Sequence, residues 1–155
     1  PYVGLAYDAS IYIRSCYLGD WSPWYRQYSQ YNILGTVSQS GGVPTGAVIE
    51  SGTNANGSYV KFADGTMIAS AVLILTQTNN NGGGTTGTLP ATFISSPILC
   101  STSTITSSGG ASCRVVEGNA TKTTYVGKRL TVSNGGTVTG DGDGYASFLF
   151  VGRWF

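Results

Sequence analysis

The sequence predicts an all-β protein: a small N-terminal β unit and an extended connector, followed by an antiparallel β-sandwich. Three observations carry this prediction. Short apolar or alternating runs recur along the chain, clusters of Gly, Asn, Asp and Ser separate them, and no stretch combines helical periodicity with caps. The 155 residues include 23 Gly, and only 10% are charged, against about 25% in an ordinary soluble domain. Ser, Thr, Asn, Gly and backbone groups must therefore wet the surface in place of ions.

Residues 1–31 are aromatic, with nine of the eighteen aromatic side chains falling there. Ser10-Ile-Tyr-Ile-Arg-Ser-Cys-Tyr17 alternates like a strand, Leu18-Gly-Asp20 makes a turn, and Trp21–Tyr28 returns as a second strand. Residues 32–65 hold few core-forming side chains among Gly35, Gly41-Gly42, Pro44, Gly46, Gly52 and Gly57. Such a stretch reads as an extended connector whose Ile33, Leu34, Val37, Val43, Val48 and Ile49 need a partner, as in an oligomer wrapped about one axis. From Ser58 onward every signal is β, with residues 66–155 read as the sandwich. Ser58–Phe62 and Thr66–Ile68 form a hairpin around Asp64-Gly65. Further strands are expected at Ala69–Thr76, Ala91–Ile94, Ile98–Ile105, Ser112–Glu117, Thr123–Val126, Arg129–Ser133 and Tyr145–Val151, with Gly-rich turns between them.

Composition removes several function classes. With no histidine there is no imidazole-based triad and no zinc site that needs one. A net charge of +1 argues against nucleic acid, whose binding rests on many cation–phosphate contacts. The longest apolar run, Met67–Leu75, is nine residues and contains Ser70, well short of the roughly 20 a membrane span requires. Cys16, Cys100 and Cys113 have no metal-like spacing. Cys100 and Cys113 could close a loop, although buried free thiols are the expectation. The chain shows no signal peptide and no initiator Met, and reads as a piece of a longer one. From Gly65 to Cys113 there are 49 positions without a charge, a surface suited to packing on copies of itself or meeting neutral sugars without desolvating ions.

Literal motif matches resolve mostly into structure. Gly82-Gly-Gly-Thr-Thr-Gly87 fits a dinucleotide fingerprint, but no helix opens after it. Ser58-Tyr-Val-Lys61 fits a serine–lysine pair, yet on a strand those side chains face opposite ways. Asp141-Gly-Asp-Gly144 reads as a hairpin turn; a weak Ca²⁺ or Mg²⁺ site at Asp141 and Asp143 would need further oxygen ligands, so no cofactor is expected. No pair of carboxylates is nominated for glycoside hydrolysis. Asn56-Gly-Ser58 and Asn119-Ala-Thr121 match the glycosylation sequon and read as turns. Aromatic rings are the best ligand candidates, because a flat apolar face with a polar tip suits a pyranose.

Asn32–Glu50, then Asn54–Ile68, and finally Gly152-Arg-Trp-Phe155 resemble the distal part of tailed-phage tail fibres. Upstream, Ile11-Tyr-Ile-Arg-Ser15 followed by Gly19-Asp-Trp-Ser-Pro-Trp-Tyr-Arg26 resembles the end of a pyocin-knob-type repeat. The resemblance implies a homotrimeric fibre tip, at the distal end of the fibre on the virion, whose last domain is an H-type-lectin-like sandwich. It would attach the particle to host capsule or lipopolysaccharide without catalysis. Ala69 to Ala146 matches no family pattern, and Ala69-Ser70 stand near where many relatives carry a Cys, so no binding residue transfers by motif.

The candidate glycan-binding residues are therefore a choice among distal loops and rings: Asn79, Asn80, Asn81, Arg129, Asn134, Asp141, Asp143, Tyr145 and Trp154. Two other functions remain open at this level. A polysaccharide-degrading tip would need convergent carboxylates, and a bacterial surface adhesin would share the composition but not the connector.

Overall fold

The computed structural model describes residues 2–5, 10–75, 84–104, 112–132 and 144–155. Among them lie fifteen strands and no helix, so the described residues are all-β. It divides into two compact units, Pro1–Glu50 and Ser51–Phe155.

In the first unit β1 (Tyr2–Leu5) pairs antiparallel with β2 (Ile11–Arg14), Tyr2 standing opposite Arg14. β3 (Cys16–Tyr17) and β4 (Asp20–Trp21) form a small hairpin, and β5 (Tyr25–Gln27) returns along β2 with Arg26 opposite Tyr12. The run expected as one strand over 10–17 is broken at Ser15. There the backbone N–H donates to Ser22 Oγ at 2.9 Å and the carbonyl accepts the Ser22 N–H at 2.8 Å, which turns the chain out of the sheet. Leu18 and Gly19 then reverse direction with φ of 51° and 92°, the doubly left-handed turn that matches strand twist.

Residues 32–50 fold back on themselves. β6 (Gln39–Ser40) and β7 (Val43–Pro44) pair across Gly41-Gly42, whose φ values of 58° and 83° permit a tight reversal. Beyond this hairpin the two arms meet: Ala47 N–H donates to Thr36 O at 2.9 Å, and Gly35 N–H to Ile49 O at 3.0 Å. The Glu50 carboxylate accepts the Val37 N–H at 2.9 Å. Val37 and Ala47 are buried by this closure, whereas Leu34 and Val43 stay about two-thirds exposed, at 66% and 64%.

The second unit contains β8 (Ile49–Asn54, entering from the first unit), β9 (Gly57–Phe62), β10 (Thr66–Leu75), β11 (Gly84–Thr88), β12 (Ile98–Thr104), β13 (Ser112–Ala120), β14 (Thr124–Val132) and β15 (Gly144–Arg153). Five strands are ordered β12-β15-β10-β9-β8, and three more β11-β14-β13. β10 and β15 pair without a break from Thr66 opposite Arg153 to Leu75 opposite Gly144. Ala91–Ile94, expected as a strand, is instead a loop, because its donors go to separate places: Phe93 N–H to Lys122 O and Ile94 N–H to Arg153 O.

The core follows from strand alternation. Met67, Ala69 and Ala71 of β10 and Ala146, Phe148 and Phe150 of β15 point inward and are buried. Across the pair, small faces large: Ala69 opposite Phe150, Ala71 opposite Phe148, Ala146 opposite Leu73. Tyr125 of β14 completes the cluster, its ring centroid 5.0 Å from that of Phe148 and 4.9 Å from that of Phe150. Each such ring contributes about 1.5–3 kcal/mol by leaving water. Gly87 stands opposite Tyr125, and a Cβ there would lie 2.4 Å from the ring. The glycine closing the dinucleotide-like match thus serves packing, within a strand.

The other face of the five-stranded sheet remains open. Ile68, Val72 and Ile74 of β10, Leu149 of β15 and Ile98 of β12 are exposed there, Val72 by 63% and Ile98 by 71%. Cys100 occupies the same side, paired with Leu149 across the ladder, and is a free, exposed thiol. Cys16, beside the Leu18-Gly19 turn, is also free and exposed. Both correct the expectation of buried thiols: each sits on a strand position that alternation or a short hairpin turns outward.

Candidate functional site

Three arrangements of side chains stand out. The first joins the aromatic segments of the N-terminal unit. Arg14 ends β2, and its guanidinium carbon lies 4.0 Å from the Trp21 ring centroid and 4.5 Å from that of Trp24. A cation between two indoles gains about 0.5–2 kcal/mol per ring. Arg14 Nε is buried without a hydrogen-bond partner, so the rings hold this side chain more than hydrogen bonds do. The pairing explains why a strand ending in Arg-Ser is followed by a Trp-Ser-Pro-Trp run.

The second arrangement is a groove of about 390 Å³ in the same unit. Tyr12 of β2, Trp24 to Arg26 and Tyr28 form one wall, and Val43 to Thr45 the other. Arg26 ties the walls together: Nη1 donates to Thr45 O at 3.1 Å and to Gly46 O at 3.3 Å, and Nη2 to Ser10 Oγ at 3.1 Å. Trp24, Tyr25 and Tyr28 are all exposed, so the groove presents ring surface to solvent.

The third lies where the chain's last residues meet the β9–β10 turn. Trp154 Nε1 donates to Phe62 O at 2.8 Å, Trp154 N–H to Gly65 O at 3.0 Å, and Arg153 Nη2 to Asp64 O at 2.8 Å. Lys61 Nζ lies 5.1 Å from the Tyr59 ring and 5.8 Å from that of Trp154, and the Trp154 and Phe155 rings meet edge to face at 4.5 Å. The Thr66 backbone N–H and hydroxyl hold the Asp64 carboxyl below the usual carboxylate range, with a smaller contribution from the Arg153 charge. Gly65, with φ of 95°, completes the turn.

Most of the sequence-nominated ligand residues lie outside the described residues: Asn79, Asn80, Asn81, Asn134, Asp141 and Asp143, and with the last two the candidate cation site. Arg129 is on β14 opposite Val115, and Tyr145 is on β15 opposite Ile74. Trp154 follows the far end of β15, so roughly 30 Å of strand separates it from Tyr145. The two positions therefore stand at opposite ends of β15, and the Trp154 indole N–H is already engaged by Phe62.

No protein-family model matches the chain, and neither does any curated protein. Its backbone is similar to solved pyocin tail fibres. An N-truncated R1-type pyocin tail fibre aligns with a TM-score of 0.49 and 15% identity, over 69% of this chain and 88% of that one. The C-terminal part of the R2 pyocin fibre of P. aeruginosa aligns with a TM-score of 0.46 and 16% identity, over 96% of this chain and 51% of that one. The corresponding part of the R1 pyocin fibre gives 0.39 and 16%, over 96% and 52%. The chain thus spans about half the length of the last two.

Arg14 and Arg26 are not among the sequence-nominated residues, which were sought in the distal loops and rings. The available signal was position. Each occupies a strand beside aromatic residues, and a cation there has ring faces to meet.

Proposed function

We propose that this chain is the non-catalytic receptor-binding end of a tail fibre, acting as a homotrimer that attaches its particle to glycan on a bacterial surface. The observation that carries the reading is the clasp at the β9–β10 turn. Two of the segments that resemble phage tail fibres, Asn54–Ile68 and Gly152–Phe155, meet there through bonds between residues 89 and 92 positions apart. A resemblance split between distant segments that fold into one contact marks a structural unit and not a chance match of short words.

The open face of the five-stranded sheet supports the trimer. Ile68, Val72, Ile74, Leu149 and Ile98 carry no charge to desolvate, and they lie on one side of paired strands. A β-sandwich closed by neighbouring subunits would cover them. Weak glycan contacts would then be multiplied by several sites per particle.

Two measurements test the proposal. Light scattering should give three times the chain mass, and Val72→Glu should lower it. The chain should also adsorb to a subset of bacterial strains differing in surface polysaccharide, with isolated polysaccharide competing. A well-folded monomer would overturn the trimer, and steady release of reducing ends from the polysaccharide would overturn the non-catalytic role.

A further inference from the structure

We infer that the groove of the N-terminal unit is a second saccharide site, and that it selects an acidic sugar residue. The inference rests on the glycan-binding reading above but concerns a different part of the chain from the nominated distal loops.

Three observations lead to it. The groove, at about 390 Å³, falls in the size range of small-ligand pockets. Its rings are available: Trp24, Tyr25 and Tyr28 are exposed, whereas the rings of the second unit's core, Tyr125, Phe148 and Phe150, are buried. The Arg14 clamp occupies part of Trp24 and Trp21, which leaves Tyr12, opposite Arg26 in the ladder, and Tyr28, two positions beyond it, as platforms on Arg26's side for the apolar face of a pyranose.

The third observation is charge. Arg26 lines the groove, and its contacts are two backbone carbonyls, one serine hydroxyl and the Tyr28 ring at 5.8 Å. No carboxylate among the described residues pairs with it. None of its three hydrogen-bond acceptors is charged; Nη1 is engaged twice and Nε is buried without a partner, which leaves the second Nη2 hydrogen to donate to one oxygen of a carboxylate. A sugar bearing a carboxylate therefore complements the groove twice, with its ring on the tyrosines and its acid toward Arg26. A neutral sugar satisfies only the first contact, and a second copy of the chain would need to bring an exposed acid.

The test uses the full chain and trigalacturonate as probe, with galactotriose as its neutral counterpart, followed by tryptophan fluorescence and calorimetry at low salt. Trigalacturonate should bind at least tenfold more tightly than galactotriose, and added salt should weaken it. Tyr12→Ala and Tyr28→Ala should each weaken it about tenfold, equivalent to ~1.4 kcal/mol. Neither ring belongs to the buried core, so near-UV circular dichroism of the rest of the chain should stay native. The inference is overturned if neither sugar binds, if both bind equally, if the tyrosine variants bind as well as the parent, or if those variants change only the oligomeric state. Cell adsorption measured in parallel separates the two proposals. Adsorption without trigalacturonate binding removes the groove alone, whereas trigalacturonate binding without adsorption to any strain removes the attachment role.

Discussion

Substituting Gly87 by Ala probes the core most sharply. The added Cβ would lie 2.4 Å from Tyr125 Cζ and 2.6 Å from both Cε1 and Oη. The ring is only 2% exposed and is held between Phe148 and Phe150, so it cannot swing aside without giving up those contacts. Overpacking of this kind costs about 2–3 kcal/mol, or a fall in Tm of roughly 10 °C for a unit of this size. Tyr125→Leu, which deletes the three clashing atoms, should cost about 2–4 kcal/mol alone through the cavity it leaves. The double variant should lose at least ~1 kcal/mol less than the two single losses combined, because the clash is gone. Tyr125→Phe retains Cζ and Cε1 and should give little such rescue. Urea unfolding at one fixed chain concentration measures all five proteins, since subunit association would shift midpoints. If Gly87→Ala and Tyr125→Leu prove additive, the proposed contact between glycine and ring does not limit the core.

Arg14→Gln should release the two indoles, with a loss of about 1–3 kcal/mol in the N-terminal unit and a change in tryptophan emission; unchanged emission would count against the clamp. Trp154→Phe keeps the ring but strands the Phe62 carbonyl, so stability should fall by about 1–2 kcal/mol, as read by hydrogen exchange at the β9–β10 turn. Asp64 has a depressed pKa in the fold, so its contribution is present above the unfolded value near 3.8 and is lost as pH falls through the lower folded value. Asp64→Asn should therefore flatten the acid limb of the stability profile below about pH 4 and leave the neutral range nearly parallel to the parent; an unaltered acid limb would refute the assignment.

Much of the fold was legible where side-chain chemistry is local. The Asp64-Gly65 turn, the Leu18-Gly19 reversal and most strands of the second unit follow from alternation and turn residues. What escaped depends on partners far along the chain. β11 has no large apolar residue, and its Gly87 makes sense only beside Tyr125. Ala91–Ile94 looks like a strand until its donors are seen to reach Lys122 and Arg153. Thr123–Val126 and Arg129–Ser133 were read as separate strands, but Gly127 and Lys128 carry the ladder across as part of β14. For the ligand residues, the nominated loops lie largely outside the described residues, whereas the Arg14 and Arg26 arrangements depend on which rings and carbonyls the fold brings to those two strand positions.

The position of β15 bears on how the chain is made. Among the described strands it comes last in sequence, yet it sits between β12 and β10 and supplies Phe148 and Phe150 to the core. Until it leaves the ribosome, β10 and β12 each lack the neighbour that completes their ladder, and Ala69 and Ala71 lack the Phe150 and Phe148 that stand opposite them. Such late, long-range pairing is slow and leaves strand edges open to the wrong partner. Synthesis of this chain would thus pass through a stage in which nascent copies, held close on one messenger, expose matching edges to each other before any one of them is finished.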